Sequence, residues 1–256
     1  MQFESFSQVF VSLAMVLPRI AAACLLLPYF TAETIPPLVR NVFFVSLALA
    51  VMPMVLAAPP PAMSGTALAP IVVKEIFIGV ALGFAFSIVF WALEGAGQVI
   101  DAKIGASTVQ LSDPLTGQQT TLIGAYMGRL AAYVFAAFGG LRLFIDLVLS
   151  SFKIWPVQAP LPDLAEVGAL FFIDRFDELM ALMLLLAAPV LCVLTLLEIG
   201  LGLVNRYAPQ LNVFTLSLAL KSWIAVVILL LTVGTIGSFT LDWLAGQRGL
   251  LQLLPF

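Results

Sequence analysis

Histidine is missing from the whole of this 256-residue sequence. Its absence excludes His-ligated zinc, Ser-His-Asp triads, H-E-x-x-H sites and haem held through an imidazole. Charge is scarce as well: Asp, Glu, Lys and Arg make up 10% of the residues, where a soluble domain carries roughly 25%. Lys and Arg form no cluster and the formal net charge is −3, so the basic footprint of a nucleic-acid-binding surface is not there. There are two cysteines, Cys24 and Cys192, each inside an apolar run. In that setting a thiol packs as a small hydrophobe, and both are read as unpaired. The opening residues, Met1-Gln2-Phe3-Glu4, hold an acid and no basic stretch of the kind that begins a secretory signal, so the first apolar run is expected to be retained.

What the chain has in excess is apolar length. Hydrophobic residues reach 62% and the mean hydropathy is +1.13. Several runs attain the roughly 20 residues that a helix rising about 1.5 Å per residue needs to cross about 30 Å of hydrocarbon. Punctuation by proline, glycine and polar residues divides the chain into about six spans: 6–30, 38–58, 70–94, 122–151, 169–198 and 213–239. The fourth is interrupted by Gly139-Gly140 and reads as one span or a bent pair. Lys74 and Glu75, near the start of the third, are read as interfacial residues. Residues 200–212 are expected to form a compact polar turn. The predicted class is an all-α, polytopic membrane protein of one domain, 1–256. Basic residues divide almost evenly between the two sides, so the positive-inside rule assigns no orientation.

The least hydrophobic stretch, 95–121, is too long for a turn; loops beyond about 12–15 residues inside a compact domain are usually functional or disordered. Val99, Ile100, Ile104, Val109 and Leu111 recur through it and its glycines stand mostly singly. A short helix followed by an ordered loop, turning at Asp113-Pro114, is therefore expected.

No constellation supports catalysis. Glu94 and Asp101 lie seven apart on one prospective helix, whereas intramembrane aspartyl chemistry needs acids on two facing helices. An ionisable side chain at membrane depth is costly and is a functional candidate by default. That rule singles out Arg19, Glu94, Asp101, Arg129, Arg142, Asp146, Arg206 and Lys221 as charges that fix assembly or line a path. Arg142 and Asp146, four apart, can neutralise each other. Gly79 and Gly83 form a G-x-x-x-G pair that lets helix backbones approach closely. No internal repeat supports a transporter built of inverted halves.

The blocks Lys74-Glu75 with Ile78-Gly79, W-A-L-E-G-A-G-Q-V-I-D (residues 91–101), G-A-S (105–107), D-P-L-T-G-Q-Q-T (113–120), I-W-P-V (154–157) and N-R-Y-A-P-Q-L-N-V-F (205–214) with Lys221-Ser222 stand in this order. Together they resemble the FliR/SctT family of type III secretion export-apparatus membrane proteins. The wording lies closer to the injectisome T branch than to the flagellar R branch.

The resemblance implies an inner-membrane subunit of a helical, hetero-oligomeric export gate through which unfolded secreted polypeptides leave the cytoplasm. It implies partners of the FliP/SctR, FliQ/SctS and FlhB/SctU kinds, no enzymatic activity, no cofactor and no metal. It also places Gly105, Ala106, Ser107, Gln110, Asp113, Pro114, Gly117 and Gln118 in a segment that plugs the closed pore. Irregular backbone of that sort is tolerated at membrane depth only where protein or water covers it. The competing expectations are a secondary transporter of a small solute, with Glu94, Asp101 and Arg142 as coupling charges, and a noncatalytic membrane scaffold.

Overall fold

The structure, a computed structural model, describes residues 2–30, 35–56, 68–106, 111–112, 119–159, 164–208 and 213–246. Among these, helices dominate: α1 (Gln2–Leu25), α2 (Pro37–Leu56), α3 (Leu68–Ile104), α4 (Leu122–Ala137), α5 (Gly140–Ile154), α6 (Leu164–Tyr207) and α7 (Val213–Gly246). A short 3-10 turn, Pro28–Phe30, follows α1, and two-residue strands β1 (Leu111–Ser112) and β2 (Gln119–Thr120) precede α4. The all-α polytopic expectation holds.

By length and composition, α2 and the segments Ala69–Ile104, Leu170–Tyr207 and Leu216–Gly246 are long and apolar enough to cross a membrane. Helices α4 and α5 are each too short alone and meet at a sharp break, so they count as one broken span or a re-entrant pair; Val9–Leu25 is a shorter apolar helix. Of the six expected spans, four are thus long and apolar enough by themselves, the fourth in chain order is the bent pair, and the first is the shorter apolar helix. The break falls at Gly139, whose φ of 75° is a left-handed conformation that glycine adopts without a Cβ penalty.

Two boundaries differ from expectation. Helix α3 does not stop near residue 94 but runs on through Gly95 and Gly97 to Ile104. Those glycines do not break it, because they serve close packing: a Cβ on Gly97 would lie 2.6 Å from the Gly124 Cα, and one on Gly95 2.7 Å from the Met183 Sδ. Helix α6 likewise continues to Tyr207 in place of a polar turn from residue 200. Gly200 and Gly202 face open space, and glycine is well tolerated in membrane helices.

The chain forms two compact units. The first gathers Met1–Ser87, Gly139–Arg175 and Gly246–Phe256. Its centre is the seam where the G-x-x-x-G face of α3 meets α1: a Cβ on Gly79 would sit 2.3 Å from the Arg19 carbonyl oxygen, and one on Gly83 2.6 Å from that of Ala23. Only glycine allows this approach. Phe86 packs against Phe144 of α5 with ring centroids 5.2 Å apart.

Lys74 and Glu75 are buried in this unit, which corrects the interfacial expectation: their side chains are 2% and 0% exposed. The Arg19 guanidinium, fully buried, grips Glu75 through Nε at 2.6 Å and Nη2 at 3.0 Å, donates to the Ser151 hydroxyl and the Trp155 carbonyl, and stacks over the Phe152 ring. The Lys74 ammonium donates to the carbonyls of Val157 at 2.6 Å and Ala159 at 3.0 Å. Charges taken from water are tolerable when every donor finds an acceptor, and here the turn after α5 supplies the acceptors.

The second unit gathers Ile88–Phe138 and Phe176–Ala245. It holds the end of α3, α4, most of α6 and α7.

Candidate functional site

The site lies in the second unit, where α3 ends and α4 begins. Helix α3 is closed by a glycine cap. Gly105, at φ 93°, donates from its N–H to the carbonyls of Asp101 and Ala102, and the Ala106 N–H returns to the Asp101 carbonyl at 3.0 Å. This is the Schellman arrangement, in which a left-handed residue past the helix end satisfies the last carbonyls.

The Asp101 side chain does a second task. It is 2% exposed, and its Oδ2 accepts hydrogen bonds from the Ile123 N–H at 2.7 Å and the Gly124 N–H at 3.3 Å. Thr121, in the N-cap position of α4, makes no side-chain cap bond. Asp101 therefore caps α4 from the neighbouring helix, with its negative charge at the positive end of the α4 dipole. Gly97 against Gly124 lets the two backbones come close enough for that reach. Above the cap, β1 and β2 pair antiparallel, Leu111 with Thr120 and Ser112 with Gln119. The two ends of the polar segment leave the helices side by side and are paired a second time further out.

Beside this base lies a triad of charges. The Glu198 carboxylate on α6 receives the Lys103 ammonium of α3 on Oε2 at 2.5 Å and the Lys221 ammonium of α7 on Oε1 at 2.6 Å. Lys221 is 12% exposed, and Lys103 and Glu198 about a third. Gly105 lies over Leu218, one turn before Lys221 on α7. One carboxylate thus ties the last turn of α3 to two other helices.

Of the residues that the sequence nominated for the plug, Gly105 and Ala106 form the cap just described; Ser107, Gln110, Asp113, Pro114, Gly117 and Gln118 lie outside the described residues. Among the nominated charges, Asp101 and Lys221 are drawn into the site. Glu94 is half-buried nearby, accepting from the Gln98 amide at 3.3 Å, with Gly128 against its side chain. Arg129 and Arg206 are exposed on this chain. Arg142 and Asp146 do approach, at 3.9 Å, but with side chains 89% and 63% exposed; the chain does not itself bury them, because they project from the polar side of α5. Sequence reasoning passed over Glu198. The signal that could have found it is the cost of Lys221 within an apolar helix, which demands an acid of matching depth.

Comparison with known proteins decides the family. The family described as bacterial export proteins, family 1, matches residues 10–245. This chain belongs to it. As a member of the bacterial export proteins, family 1, the chain is 34% identical over 218 residues to Yop proteins translocation protein T of Yersinia pestis, covering 85% of this chain and 84% of that one. It is 35% identical over 221 residues to surface presentation of antigens protein SpaR of Salmonella typhimurium, covering 86% and 82%. Flagellar biosynthetic protein FliR of Bacillus subtilis is 28% identical over 234 residues, covering 91% and 90%. These likenesses bear out the FliR/SctT resemblance, and with it a multi-pass membrane protein of a bacterial export apparatus.

Proposed function

We propose that this family 1 export protein is a core subunit of a type III secretion export gate in the bacterial inner membrane, and that residues 105–118 close its pore at rest. The observation that carries the reading is the Asp101 cap. A polar segment leaves the ends of two apolar helices, and one residue pins both ends: the Asp101 carbonyl accepts the Gly105 and Ala106 N–H groups, and its carboxylate accepts those of Ile123 and Gly124. A segment anchored at its base by a single residue can shift without unfolding the helices that carry it.

The proposed partners are FliP/SctR-like, FliQ/SctS-like and FlhB/SctU-like subunits, and the cargo is unfolded secreted polypeptide. Large apolar side chains exposed along α6 and α7, among them Leu196, Leu203, Trp223, Leu230 and Leu231, suit a chain that finishes its packing against lipid and other subunits. The injectisome branch is favoured over the flagellar one, because identity is 34–35% to translocation protein T and SpaR of Salmonella against 28–30% to the FliR proteins. The chain acts without catalysis of its own. Coupled solute transport is disfavoured by its own candidates: Asp101 is committed to backbone N–H groups and Arg142 is exposed beside Asp146.

Purification from a native membrane tests the reading. A stable complex with at least two other small hydrophobic proteins is expected; a chain that transports a solute by itself in liposomes would contradict it.

A further inference from the structure

Glu198 is the acid on the second unit that bridges two cations from two different helices, and the export-gate reading leaves it without a role. Its two oxygens are divided, Oε2 to Lys103 and Oε1 to Lys221, so neither lysine can be released without leaving a carboxylate oxygen bare. Lys103 sits two residues before Gly105, in the last turn of α3, and Lys221 sits three residues after Leu218, the side chain that Gly105 overlies. Without the carboxylate, two ammonium groups would face each other across a partly desolvated gap, and like charges at that range push apart.

The triad carries a net charge of +1, two lysines against one acid, so the acid is the member whose loss changes the sign of the interaction from attraction to repulsion. The same repulsion acts on the turn that carries the Asp101 carbonyl, to which the Gly105 and Ala106 N–H groups return.

We propose that Glu198 is a positioning residue for the resting gate: by holding Lys103 and Lys221 together it fixes the end of α3 against α6 and α7 and keeps the conduit tight. This rests on the export-gate reading and extends it to a residue outside the polar segment. The ion pair acts on the last turn of α3, which the Gly105 and Ala106 N–H groups close.

The test is small-ion conductance of the assembled, purified export complex in planar bilayers, with co-purification of its partners as the assembly readout. Glu198→Gln keeps the size of the side chain and removes the charge. Resting conductance is expected to rise about tenfold, equivalent to about 1.4 kcal/mol of closed-state preference, with assembly retained, and Glu198→Asp is expected to recover part of the seal. An assembled, tight Glu198→Gln complex would overturn the proposal.

If Glu198→Gln does not assemble, the charge-exchanged variant Glu198→Lys with Lys103→Glu and Lys221→Glu decides. Assembly with a tight gate supports the bridge, and a leaking or unassembled exchange overturns it. Deletion of residues 105–118 is run alongside. If the deletion leaks and Glu198→Gln does not, the bridge fails while the gate reading stands; if the deletion does not leak, the gate reading itself fails.

Discussion

The Asp101 carboxylate accepts the Ile123 N–H at 2.7 Å, twenty-two residues along the chain, while the Asp101 carbonyl accepts the N–H groups that end its own helix. One residue closes α3 and opens α4. Asp101→Ala should therefore strip the cap from α4 and leave two buried N–H groups unsatisfied, a loss of about 1–3 kcal/mol. Asp101→Asn keeps an acceptor oxygen and should lose less. Thermal unfolding of the complex in detergent checks the order: wild type, then Asn, then Ala.

Gly97 and Gly124 make a separate prediction, because their contact is what brings the cap within reach. A Cβ at Gly97 would sit 2.6 Å from one backbone, so Gly97→Ala must push α3 from α4. Overpacking of this kind costs roughly 1–3 kcal/mol, and lower yield of assembled complex is the expected result. Gly200→Ala, with nothing of this chain within 4 Å, is the matched control and should leave the thermal stability of the chain itself as in wild type.

The buried charges of the first unit should obey the asymmetry of buried ion pairs. Arg19→Leu takes from Glu75 the guanidinium that grips it and leaves the Lys74 ammonium, at 3.1 Å, as its cation, and costs of about 3–5 kcal/mol are typical of such single changes. Arg19→Leu with Glu75→Leu removes that pair, leaves the Lys74 ammonium on the carbonyls of Val157 and Ala159, and should recover part of that loss. Steady-state protein level in membranes reads the difference; equal loss in both would show that the pair does not act as a unit.

Arg142 and Asp146 supply the opposite case. An exposed i,i+4 pair contributes about 0.3–0.5 kcal/mol at most, so Arg142→Ala with Asp146→Ala should leave the thermal midpoint of this chain unchanged within about 1 °C. A loss of assembly without loss of chain stability would show that a partner subunit buries the pair.

Much of this was legible in the linear sequence, and what was not has a physical cause. Six apolar segments could be counted because run length in a bilayer is a strong constraint, and the polar stretch after residue 94 stood out against them. The end of α3 was misplaced because Gly95 and Gly97 resemble breakers in isolation; their purpose, contact with Met183 and Gly124, depends on helices 27 or more residues away. Lys74 and Glu75 look interfacial until their partners are known, and those partners are main-chain carbonyls 83 and 85 residues later and Arg19, 56 residues earlier. Glu198 was invisible for the same reason, with its lysines 95 and 23 residues distant. Hydrophobic length is a local property; the pairing of charges is not.

The most direct test of the central claim is the resting conductance of the assembled gate after residues 105–118 are deleted. Closure by this segment predicts a complex that still assembles and leaks small ions and solutes in the absence of cargo. An assembled complex as tight as the wild type would contradict it.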